Sequence, residues 1–93
     1  MISTSLAYAV PFVLDRSRAP RVHRLVNEST EVVTAVRVTL VGTGLLVPVA
    51  TSRLTPGESV DLLVLGVELA RSAVAVVRWF RPDGQEYLWR FSF

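Results

Sequence analysis

AVAVVRWFRPDGQEYLWRFSF, residues Ala73–Phe93, reads as two strands joined by a turn whose chemistry sets their register. Arg81-Pro82-Asp83-Gly84-Gln85 suits a type I turn: Pro82 presets φ at the first central position, Asp83 follows, and Gly84 takes the left-handed conformation of a bulge. Arg81 then pairs with Gln85, and the pairing runs back along both strands. Trp79 opposes Tyr87, Val77 opposes Trp89, Ala75 opposes Phe91 and Ala73 opposes Phe93. Every pair on this face is apolar, small against large, so this is the expected core face, with Trp79 and Trp89 inside it. The other face pairs Phe80 with Glu86, Arg78 with Leu88, Val76 with Arg90 and Val74 with Ser92. A slip of one residue would turn Arg78 and Arg90 into the core, where unpaired charge is costly.

Upstream of the hairpin the chain shows short extended runs separated by turn residues and no sustained helical period. Expected strands are Leu6–Leu14, Arg21–Asn27, Val32–Val41, Leu45–Thr51 and Val60–Leu65. Pro11 and Pro48 lack a backbone donor and place the first and fourth of these at sheet edges. In the third, Val32, Thr34, Val36, Val38 and Leu40 share one face; in the fifth, Val60, Leu62 and Val64 form the inward set. Thr55-Pro56-Gly57-Glu58-Ser59 has the Pro-Gly neighbours of a type II turn, Gly42-Thr43-Gly44 ends the long strand, and Gly66–Arg71 has room for a single helical turn. With the hairpin, this predicts one all-β domain spanning residues 1–93, an immunoglobulin-like antiparallel β-sandwich of about seven strands. A small SH3- or OB-like barrel is the alternative, because strand order is not encoded in periodicity.

Ninety-three residues hold one core, yet 51% of them are hydrophobic and only 19% are charged. That is more apolar surface than a small free-standing monomer hides, which predicts that part of it covers a partner or a second copy. Seventeen valines favour the pleated sheet. With no cysteine there is neither a disulfide framework nor a thiolate metal site, and the expected compartment is the cytoplasm in preference to a secreted setting. MISTSLAYAVPFVL has no basic start and is interrupted by Pro11, so it is expected to be a strand and not a signal peptide; no run reaches the length of a membrane span. All ten basic residues are Arg, a bias of composition, and the net charge of +2 does not call for a polyanionic partner.

Leu25-Val26-Asn27-Glu28-Ser29, Val36-Arg37-Val38-Thr39-Leu40 and Leu54-Thr55-Pro56-Gly57-Glu58-Ser59-Val60 follow one another in this order. Together they resemble the immunoglobulin-like modules of bacterial surface and carbohydrate-active proteins, of the CARDB and NPCBM-associated NEW type. The likeness covers Arg21–Leu65 and rests on turn residues. It implies a sandwich and a scaffolding or binding role, with no reaction.

No residue pattern carries a catalytic signature. His23 stands alone with no second histidine or spaced carboxylates, so it is expected to be structural and no metal or other cofactor is expected. Glu58, Glu68, Asp83 and Glu86 fall in turns or at strand ends, and Gly42-Thr43-Gly44 leads into Leu45-Leu46 where a phosphate loop would need a basic helix start. Asn27-Glu28-Ser29 has the form of a glycosylation acceptor and is expected to be a turn. What remains is the outer hairpin face, Val76, Arg78, Phe80, Leu88 and Arg90, an aromatic, aliphatic and arginine strip of the kind found at interfaces. The expected function is therefore a non-catalytic protein-interaction or assembly module, self-associating through a sheet face or edge. Carbohydrate binding on exposed aromatics is the alternative, and single-stranded nucleic-acid binding by Arg16, Arg18, Arg21 and Arg24 a lesser one.

Overall fold

A computed structural model describes residues 8–93. Its strands are β1 (Phe12–Asp15), β2 (Val22–Asn27), β3 (Val33–Gly42), β4 (Leu45–Leu46), β5 (Val49–Leu54), β6 (Ser59–Leu65), β7 (Ala73–Phe80) and β8 (Glu86–Ser92), with a single helical turn, α1 (Leu69–Ser72), before β7. They form two antiparallel sheets ordered β1-β2-β6-β4 and β5-β3-β7-β8. The β1-β2-β6 and β3-β7-β8 triplets give the immunoglobulin-like sandwich its two layers. Residues 6–7 of the first expected strand, and the first half of the segment weighed as a signal peptide, lie outside the described residues. No helix among the described residues is long and apolar enough to cross a membrane.

The hairpin has the register its turn dictates. Trp79 pairs with Tyr87, Val77 with Trp89, Ala75 with Phe91 and Phe80 with Glu86. Gly84 has φ 82°, its N–H donates to the Arg81 carbonyl at 2.9 Å, and the Arg81 N–H donates to Gln85 O at 3.0 Å. Ala75, Val77, Trp79 and Phe91 are buried against Phe12, Leu25, Leu62 and Val64 of the other sheet. Trp89 departs from expectation: it is half-buried, because β8 is the outermost strand of its sheet and only the four-residue β1 ends the facing one.

Two further expectations are corrected. Val32 and Thr34 do not share the inward face of Val36 and Val38: Val33 is fully buried and Thr34 is exposed. β3 carries one extra residue against β7 between Thr34 and Arg37, with Ala35 at φ 50°, and that bulge inverts the alternation of everything before it. Leu45–Thr51 is not one strand. Leu45 and Leu46 pair with Leu65 and Val64 in the first sheet, the chain turns at Pro48, and Val49–Leu54 pairs with β3 in the second. The strand count is thereby eight.

Side chains close the end of the sandwich at the hairpin turn. Trp79, 1% exposed, packs edge-on to Phe12 with ring centroids 5.0 Å apart, and its indole N–H donates to the Tyr8 hydroxyl at 3.2 Å. The Arg81 guanidinium lies 3.9 Å from the Tyr8 ring centroid and bonds Glu31 through two nitrogens, at 3.1 and 2.8 Å. That doubly bonded pair holds the Glu31 carboxyl below its ordinary range, by the hydrogen bonds first and the charge of Arg81 second.

Candidate interaction surface

On the outward face of the second sheet the register sets Arg37, Arg78 and Leu88 in one row across β3, β7 and β8, and Thr39, Val76 and Arg90 in the next. A shallow trough of about 470 Å³ runs over these rows. Of the five residues expected at the site, Val76, Arg78, Leu88 and Arg90 line it; Phe80 is half-buried one row further on, beside Glu86. Glu86 binds Arg37, 2.7 Å away across β7. Among the described residues Arg78 and Arg90 have no acidic partner, and Leu88 stands 51% exposed between them. The β3 contribution, Arg37, Thr39 and Val41, was invisible in the sequence because no local signal names the strand beside β7.

A second apolar surface lies on the outward face of the first sheet. Leu45 (71% exposed), Leu65, Val47 and Leu63 are neighbours there: Leu45 pairs with Leu65, and the Val47 N–H donates to the Leu63 carbonyl. Its signal was present in Leu62-Leu63-Val64-Leu65, since an unbroken apolar run on a strand must face both ways.

Most of the other candidate residues are engaged internally. Arg18 and Arg24 both bind Asp61, at 3.1 and 3.0 Å, and Arg16 donates to the Ser92 and Phe93 carbonyls at 2.7 and 2.8 Å, while Arg21 is exposed with no side-chain partner among the described residues. Asn27 is a fully buried strand end and not an acceptor for glycan: its Nδ2 donates to the Glu31 and Leu54 carbonyls at 2.9 and 3.0 Å. The Trp79 indole is in the core and Trp89 is half-buried, so neither presents an open, flat ring. No cluster of three His, Asp or Glu side chains gathers among the described residues.

His23 is 2% exposed and edge-on to Phe93, and its Nδ1 has no hydrogen-bond partner. Burial, and secondarily the charge of Arg16, hold its pKa below the ordinary value. The folded state thus favours neutral imidazole, while the unfolded chain takes a proton near pH 6.5. Stability should be complete above that pH and fall as pH drops below it. Urea midpoints measured from pH 7 to pH 5 should decline, and His23→Leu should flatten the decline; an equal slope in both proteins would exclude His23 as the cause.

Comparison of the chain with protein-family models, curated proteins and solved structures gives no match in any of the three.

Proposed function

We propose that this domain is a non-catalytic protein-interaction module that self-associates through the sheet carrying β7 and β8. The observation behind the reading is Leu88, half exposed between Arg78 and Arg90, two guanidiniums without acidic partners among the described residues, at the rim of the trough. Arginine beside exposed aliphatic surface is a composition that gains from burial against another protein: the stems add apolar area and the planar heads find carboxylates. The unusually apolar composition of so short a chain and the turn residues shared with scaffolding sandwich modules support the same reading.

Light scattering over a range of protein concentration is the direct test. The expected result is a concentration-dependent rise in mass, weakened in the Arg78→Ala, Leu88→Ala double variant. The thermal midpoint should hardly move, since exposed positions change stability by only about 0.5 kcal/mol. A monomer at every concentration would end the proposal.

A further inference from the structure

The strip Arg78, Leu88, Arg90 borders a strand edge that no strand pairs among the described residues, and the edge has a self-complementary order. Arg81 and Gln85 are a hydrogen-bonded pair, so alternation along the antiparallel ladder makes Trp79 with Tyr87 and Val77 with Trp89 bonded pairs as well. The N–H and C=O groups of Glu86, Leu88, Arg90 and Ser92 must then point away from β7, to the open side. Ser92 shows this directly: its carbonyl is taken by the Arg16 guanidinium. The Glu86, Leu88 and Arg90 groups have no such partner among the described residues.

Two of the other edges are blunted: β1 has four residues and starts after Pro11, and β4 has two and runs into Pro48. β5, the far edge of the same sheet as β8, has six residues and begins directly after Pro48. β8 has seven residues with no proline, glycine or bulge.

We infer that β8 pairs antiparallel with β8 of a second copy of this chain, about a two-fold axis through Leu88. In that register Leu88 meets Leu88 of the second copy, and Glu86 meets Arg90 at both ends, all with backbone groups aimed at each other. Glu86 keeps Arg37 on one carboxylate oxygen, Oε2, and offers Oε1 to the incoming arginine. On the inward face Tyr87 falls opposite Trp89, which covers the two half-buried aromatics that the monomer leaves at its rim. Sliding the pairing by two residues sets Leu88 against Arg90 and brings in Ser92, whose carbonyl Arg16 already occupies. The inference rests on the self-association reading and names its partner and register.

Charge reversal tests it. Arg90→Glu places carboxylates opposite each other at both ends, and Glu86→Arg does the same with guanidiniums. Each alone should weaken dimerisation by about tenfold or more. An equimolar mixture of the two should dimerise again, because each copy then carries the other's counter-charge. Leu88→Cys adds an independent readout: the chain has no other cysteine, and oxidation should give a disulfide-linked dimer across the axis. Wild-type association with unchanged affinity in Arg90→Glu, or a mixture that stays monomeric, overturns the β8 edge and leaves self-association standing. A wild-type protein that never associates overturns both.

Discussion

Trp79→Ala should cost about 3–5 kcal/mol of folding stability. A domain of this length has a total of only about 5–14 kcal/mol to lose. The indole is almost fully buried, faces Phe12 edge-on, and lends its N–H to Tyr8, whose ring supports Arg81 and through it Glu31. Truncation opens a cavity under both sheets and removes the platform that joins residue 8 to the hairpin turn. Urea unfolding followed by circular dichroism should show the midpoint cut by about a fifth at the least, whereas Trp79→Phe should recover most of it. A loss below about 1 kcal/mol would mean that Trp79 is not in the core and that the hairpin register is wrong.

Asn27→Ala should cost about 2–4 kcal/mol, out of proportion to the few atoms removed, because it strands buried partners. Asn27 Nδ2 serves two carbonyls, those of Glu31 and Leu54, and Oδ1 accepts from the Ser29 N–H and hydroxyl at 3.0 and 2.7 Å. Its backbone is tied to the Thr55–Ser59 turn, where the Gly57 N–H reaches Asn27 O at 2.7 Å and the Asn27 N–H reaches Glu58 O at 2.9 Å. The side chain thus joins the end of β2 to the segment before β3 and the end of β5, and the backbone of the same residue holds the turn into β6. Asn27→Asp keeps the acceptor but turns a carboxylate toward two carbonyl oxygens, so it should be at least as harmful at pH 7. Chemical denaturation of both variants checks this, and a loss under about 0.5 kcal/mol in Asn27→Ala would show the network to be replaceable by water.

The hairpin and its two faces were legible because everything that decides them is local: a Pro-Asp-Gly turn sets the register, and a period of two assigns each side chain. The inward set of β6 followed from the same alternation. Leu63 and Leu65 on the opposite face were equally readable, as the other half of an unbroken apolar run. The bulge at Ala35 was not readable, since alanine carries no mark of a positive φ and only the fit of β3 between β5 and β7 imposes it. Nor was the sheet change at Pro48, where a continuous apolar stretch serves two different sheets.

The candidate surface divides along the same line. Val76, Arg78, Leu88 and Arg90 were assigned to one outward face by the turn alone. That Arg37 joins them, binds Glu86 and leaves Arg78 and Arg90 without acidic partners among the described residues depended on β3 lying beside β7. By itself the sequence determined most of the strands, the hairpin register and which hairpin residues face out, because these follow from turn chemistry and side-chain alternation along a few residues. Only the tertiary structure decided which strands are neighbours and which edges stay open. Those outcomes come from packing two sheets on one core, where residues far apart in the chain compete for the same contacts.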